Sequence, residues 1–217
     1  MTPRDWEHDA KLLEGWRSGD RAAGEQLFAR HGDAVLRFFR NKVRLQEVEE
    51  LSQETFVRLV GSRDRIGDGV AFRAYVLGIA RRVLLEHLRS LPLARELDPA
   101  VHRAVDLVPG PSMIIAARQE QELLVNALRH LPLEQQILLE LYYWEQLKAP
   151  KLAQIMDVNA STMRSRIQKA RDALREAIRQ FAANPQLIES TLAGLDEWAD
   201  QVRVEYLRGL VGGETGT

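Results

Sequence analysis

Apolar residues recur along this chain at helical spacing almost from end to end, and strand-like alternation is nearly absent. The pattern predicts an all-α protein. Leu12 to Trp16 and Arg21 to Val43 are apolar-periodic, with Leu27, Phe28, Val35, Phe38 and Phe39 as candidate core. Gln46 to Val60 follows, where Val48, Leu51, Thr55 and Leu59 form an inward stripe. Glu50, Gln53, Glu54 and Val57 lie on its outer face, with Glu47 and Glu49 close by. Gly61 to Gly69 is punctuated by glycines and is expected to be a mobile loop. A further helix over Ala71 to Leu91 buries Phe72, Val76, Ile79 and Val83 and displays Arg73, Arg81, Arg82 and Arg89.

Periodicity then lapses. Pro92, Pro99, Pro109, Gly110 and Pro111 fall between Ser90 and Arg118, which reads as a flexible linker. Fully extended, about 29 residues reach about 95 Å, more than two duplex turns of about 35 Å each. Two domains so joined could contact separated DNA sites. The second block has one helix through Leu123, Ala127, Leu128 and Leu131 and another from Leu133 to Tyr143.

From Ala149 to Arg179 the pattern is a short helix, a tight turn and a long basic helix: a helix-turn-helix, whose second helix suits a DNA major groove. Pro150 fits the first position of the short helix, with Leu152, Ala153 and Ile155 buried. Asp157 or Asn159 can take the left-handed turn, and Ser161 or Thr162 is expected to cap the second helix. Met163, Ile167, Ala170 and Leu174 make its core stripe. Ser161, Arg164, Ser165, Gln168, Lys169, Arg171 and Asp172 occupy the remaining surface. Between Arg164 and Arg179 six cations face only Asp172 and Glu176. Such a face could be merely solvated; the complete motif favours DNA.

Composition narrows the class. The 217 residues are 28% charged and 45% hydrophobic, ordinary for a globular protein. No apolar run approaches the roughly 18 residues of a membrane span, and no signal-peptide pattern is present, so a cytoplasmic location is expected. Cysteine is absent, which excludes disulfides and thiolate chemistry. His8, His31, His87, His102 and His130 lack metal-ligand spacing, and no phosphate loop or nucleophile motif occurs. Neither an enzyme nor a cofactor site is expected.

The net charge of −1 is low for a protein that holds DNA unaided, since counterion release supplies much of that affinity. The acidic tail offsets the basic helix, so weak binding alone and reliance on a larger partner are inferred. In that tail Ile188, Leu192, Leu195, Ala199, Val202 and Tyr206 form a helical stripe beside Asp196, Glu197 and Asp200. It could pack on the second domain, or shield a basic face or dock on a regulator. Tyr75 with Arg81 and Arg82, beside the glycine-rich loop, could be plain surface or a single-strand face where phosphates are neutralised and bases flip. The acidic face at 47–57 could likewise be solvated or a protein-docking surface.

Taken together, these segments resemble the extracytoplasmic-function (ECF) group of bacterial sigma-70-type sigma factors. ELSQETFVRLV (50–60) is similar to region 2.2, which binds the polymerase clamp helices. FRAYVLGIARRVLLEHLR (72–89) resembles regions 2.3 and 2.4, which open and read the −10 element. LRHLPLEQQILLELYY (128–143) and STMRSRIQKAR (161–171) resemble region 4, which reads the −35 element. The resemblance runs over roughly residues 10–180, in family order. It implies a sigma-2-like domain at 1–91, a linker at 92–118, a sigma-4-like domain at 119–180 and a C-terminal helical extension at 181–217.

By this resemblance Glu47, Glu50, Gln53, Glu54 and Val57 contact core RNA polymerase. Tyr75, Arg81, Arg82 and Arg89 contact the −10 element. Ser161, Thr162, Arg164, Ser165, Gln168 and Lys169 meet the −35 element, and Arg171 a phosphate. Promoter DNA and core polymerase are the implied partners, with an anti-sigma factor or another regulator as a further one. Three positions depart from the family: Tyr75 replaces a usual Trp, Arg82 a common Asn and Glu86 a common Asp. Lys148 to Ala153 also lacks the usual Ser/Thr-x-x-Glu start of that helix. The competing classes are a stand-alone helix-turn-helix regulator of a duplex operator and a pure interaction module. Neither has reason to carry the block 50–89.

Overall fold

The computed structural model describes residues 3–40, 42–67, 71–91, 98–100, 102–103 and 119–194. Within them lie nine helices: α1 (Pro3–Arg17), α2 (Arg21–Arg40), α3 (Leu45–Ser62), α4 (Phe72–Ser90), α5 (Gln119–Arg129), α6 (Leu133–Tyr143), α7 (Ala149–Met156), α8 (Ala160–Phe181) and α9 (Pro185–Ala193). Helices α1–α4 form one bundle and α5–α9 another, and the two meet where α4 packs on α7. None of these helices is long and apolar enough to cross a membrane.

In the first bundle, Asp20 accepts backbone N–H bonds from Ala22 and Ala23 at 2.9 and 3.2 Å and so starts α2. Trp16, Phe28 and Phe56 stack edge-to-face with centroids 5.3 Å apart at each step, tying α1 to α2 and α3. The expected α3 stripe of Val48, Leu51, Thr55 and Leu59 is buried. Helix α4 buries more than the expected stripe: Ala74, Leu77, Ala80, Leu84, Leu85 and Leu88 are covered along with Phe72, Val76, Ile79 and Val83. The reason is that α2 and α3 cover α4 within its own bundle and α7 covers it from the other.

The expected mobile loop after α3 is largely ordered helix. Gly61 and Ser62 end α3, Arg63–Arg65 form a single 3-10 turn, and Ile66 is buried. The Arg63 guanidinium donates to the Trp16 carbonyl at 3.3 Å and lies 5.8 Å from the Trp16 ring. This anchor was missed because its apolar partner lies 47 positions away in sequence.

Most of the linker lies outside the described residues, but the part that is described is tied down. Leu133 N–H donates to the His102 carbonyl and Glu134 N–H to the Pro99 carbonyl, both at 2.8 Å. Helix α6 starts after Pro132 with no side-chain cap, so linker carbonyls satisfy its first donors. The span available to the two bundles is therefore shorter than the full 29 residues allow.

Helix α9 packs on α5 and α8 with Thr191 buried and Leu187 and Leu192 half-buried. Leu195, Asp196, Glu197, Ala199, Asp200, Val202 and Tyr206, which belonged to the expected tail stripe, lie outside the described residues.

A buried polar contact fixes α1. Asp9 accepts from Arg30 Nε and meets His31 Nε2, each at 2.9 Å. Burial alone would raise the Asp9 carboxyl, but hydrogen bonds and charge from His31 and Arg30 outweigh it and hold it below its ordinary 3.8. As an anion it stabilises the fold above that pH, and the contribution is lost as pH falls through the lowered value. Asp9→Asn should lower stability by about 1–3 kcal/mol near neutral pH, with the gap to the native chain closing below about pH 4. Urea melts across pH measure both.

Candidate nucleic-acid interface

The helix-turn-helix forms because its turn residues fit their backbone. Asp157 takes the left-handed conformation (φ 54°, ψ 51°), and its N–H closes α7 on the Ala153 carbonyl. Asn159 is then extended and caps α8, its Oδ1 accepting Thr162 N–H at 2.8 Å and the Ser161 hydroxyl at 2.8 Å. The expected caps Ser161 and Thr162 thus fall inside the helix, because the turn is shorter than the pattern suggested. Pro150 occupies the second helical position rather than the first, since α7 begins at Ala149.

Met163, Ile167, Ala170 and Leu174 are buried, which turns the opposite face of α8 outward. Ser161, Arg164, Ser165, Gln168 and Lys169 are exposed, with Thr162 half-exposed. Gln168 donates to both Asp172 carboxylate oxygens at 3.1 Å, and Arg175 holds the same group at 2.8 Å. Arg171 is half-buried, its guanidinium 5.9 Å from the Tyr143 ring, so it braces α6 as well as edging the basic face. Arg166 is drawn off that face altogether, to Glu134 at 2.8 Å.

The second basic surface lies on α4. Tyr75 and Arg82 line a cleft of 460 Å³ together with Arg58, Gly61, Ser62, Arg65 and Ile79. That volume is within the range of about 300–1,000 Å³ usual for small-molecule sites. Arg58 and Arg65 were missed by pattern alone, since the end of α3 read as a loop. Arg82 and Arg89 are exposed, whereas Arg81 is half-buried. Burial works against the Arg81 charge; Glu134 offsets this, while Arg89, Arg166 and Arg82 add to the cost.

The structure does not bring all four expected −10 residues to one open face. Tyr75, Arg81 and Arg82 also line a cleft of 620 Å³ whose far wall is Gln154, Ile155 and Asp157 of the helix-turn-helix.

On α3, Glu50, Gln53, Glu54 and Val57 are exposed as expected, with Glu54 paired to Arg58 at 2.7 Å. Glu47 is different. It accepts Arg44 N–H at 2.8 Å and stands 3.5 Å from His87, so it serves as a cap more than as open surface. Leu45 and Val60 join Val57 as large apolar side chains more than half exposed. The spacing of Val57 and Val60, three apart and off the buried stripe, was the available signal.

Two family models match the chain: Sigma-70 region 2 over residues 27–91 and Sigma-70 region 4 over residues 121–174. Together they span more than half of it. The RNA polymerase sigma factor NccH of Alcaligenes xylosoxydans xylosoxydans is 26% identical over 76% of this chain and 92% of its own. The ECF RNA polymerase sigma-E factor of Escherichia coli K12 is 23% identical over the same shares. The chain belongs to the extracytoplasmic-function group of sigma-70-type sigma factors. Its partners are core RNA polymerase and promoter DNA, and it directs promoter-specific transcription initiation. The solved structure of CnrH in complex with the cytosolic domain of CnrY has the same fold, with a TM-score of 0.61 and 21% identity over 81% of this chain and 99% of CnrH. Members of the family act on polymerase as non-catalytic regulators.

Asp157 tests the turn that aims α8 in this sigma factor. Asp157→Gly should keep or raise stability, while Asp157→Val should cost about 1–2 kcal/mol because a β-branched side chain resists positive φ. Thermal melts and binding of duplex promoter DNA report the two effects.

Proposed function

We propose that residues 1–91 dock on core polymerase and handle the −10 element, while residues 119–180 read the −35 element. The observation that carries this division is the outward face of α8, where Arg164 and Lys169 have no ion-pair partner among the described residues. In the major groove Arg164, Ser165, Gln168 and Lys169 meet base edges. Ser161 and Thr162 sit at the helix N-terminus, where backbone N–H groups favour phosphate, and Arg171 takes a phosphate at the rim. In the first domain the exposed strip Glu50, Gln53, Glu54 and Val57, extended by Leu45 and Val60, meets polymerase, with Glu47 holding its helix start. Tyr75, Arg82 and Arg89 hold the displaced strand, and the cleft beside Tyr75 accepts a flipped base. Arg81 joins them once α7 moves away.

The chain itself performs no bond chemistry and works in the cytoplasm, where polymerase makes the transcript. An anti-sigma factor or another regulator controls it; CnrH, which shares its fold, was solved with the cytosolic domain of CnrY.

The test is to add the purified chain to core polymerase and measure promoter-specific initiation on DNA selected from a random library. Absence of any selected sequence would remove this reading and favour a stand-alone operator-binding regulator. Arg164→Ala should relax preference at one base position by about 1–3 kcal/mol. Arg171→Ala should weaken all sequences alike; the two base-preference profiles, measured side by side, must differ. Val57→Glu should weaken binding to core polymerase by about 2 kcal/mol and leave duplex binding by the isolated chain unchanged, as titrations of each partner would show.

A further inference from the structure

The two bundles are joined by charge. Arg37 donates to Glu145 through Nε at 3.1 Å and Nη2 at 3.4 Å, and Arg73 donates to the same carboxylate. Nearby, Lys42 donates to Glu140 and to the Phe38 carbonyl, and Gln136 donates to Glu140 at 2.8 Å. All the cations come from the first bundle and both carboxylates from α6 of the second. Arg37, Lys42, Glu140 and Glu145 are each no more than 6% exposed. Buried ion pairs of this kind add little net stability over apolar packing, because desolvation consumes the attraction.

The geometry has a second use. Two guanidinium groups closing on one anion, one of them in a two-point fork, is how arginine holds a phosphate. Arg73 stands two residues before Tyr75 on α4, and the contact it makes lies beside the cleft where α7 faces Ala74, Gly78 and Arg81. We propose that Arg37 and Arg73, with Lys42 beside them, are a backbone-phosphate site for the melted promoter strand, and that Glu145 and Glu140 occupy this site when the chain is alone. In this closed form the acidic end of α6 stands in for nucleic acid, and the α4 face beside it is partly roofed by α7. Strand binding and closure are then mutually exclusive. Polymerase docking, which must spread the two domains along DNA, releases the site. This rests on the placing of the −10 strand against the first domain.

The test uses the full chain and a fluorescent single-stranded oligonucleotide of mixed sequence, because phosphate contacts are indifferent to sequence. Glu145→Gln should bind it about tenfold more tightly than the native chain, a change of about 1.4 kcal/mol. Adding Arg37→Gln and Arg73→Gln to that variant should abolish the gain and flatten the log–log salt dependence by about 1.4, or about 0.7 for each phosphate lost. Should that triple variant fold poorly, Arg37→Lys and Arg73→Lys in the Glu145→Gln background keep the charge but lose the fork. They should retain the salt slope with reduced affinity. The native chain has no cysteine, so a dye pair on cysteines placed at Glu25 and Gln180 reports separation of the bundles, which should widen in Glu145→Gln. No gain in strand binding, or a gain that survives loss of both arginines, overturns the proposal. Promoter-specific initiation by the native chain is scored separately: if it fails, the sigma-factor reading fails, whereas intact initiation with unchanged strand binding removes this inference alone.

Discussion

Helix α4 has too many apolar side chains to be covered from one side, and meeting that demand sets much of the remaining architecture. Phe72, Val76, Leu77, Ala80, Leu84 and Leu88 are almost completely buried, and α2, α3 and α7 share the task of covering them. What is left to solvent is a strip that includes Arg82 and Arg89, with Tyr75 half-exposed at its edge. The residues able to touch a melted strand are thus selected by exclusion. Arg81 shows the cost of the arrangement: it falls where the two bundles meet and is held half-buried among other arginines.

Element type and the core of each bundle were legible because each helix has a one-sided stripe of apolar residues. The stripes on α3 and α8 and the limits of α6 follow from spacing alone. The extent of burial on α4 was not legible, since a helix covered from two directions shows no clean polar face and periodicity cannot say what covers it. The same blindness to distant partners hid the pairing of Arg37 and Arg73 with Glu145, which lie 108 and 72 positions away in sequence. The exposure of Arg164, Ser165, Gln168 and Lys169 was legible, because position on a capped helix determines it.

Local chemistry was read less well than periodicity where alternatives competed at neighbouring positions. Asp157, Asn159, Ser161 and Thr162 all have side chains suited to turns or caps, so composition could not rank them. The backbone decides: once Asp157 takes positive φ, the chain has one extended residue in the right place, and Asn159 occupies it. Glu47 illustrates the reverse error. Its charge suggested a docking surface, yet an acid at the third position of a helix reaches back to the N-terminal N–H groups whenever those lack another acceptor. Val57 and Val60 carry the stronger signal for a protein partner, because large apolar side chains on an otherwise charged face gain nothing from solvent.

The charged seam between the bundles fits a protein that must open to act. An apolar seam would leave two adhesive patches once the halves separated, and exposed patches of that kind promote aggregation. Arginine, lysine and glutamate are well hydrated on either side of the break. Their attraction when closed is largely cancelled by the desolvation each suffers, so the closed and open forms can lie close in free energy. Fork geometry nevertheless keeps the closed arrangement specific, since Glu145 must meet both guanidinium groups at once. A modest difference in affinity for polymerase between the two forms is then enough to shift the population toward the open one.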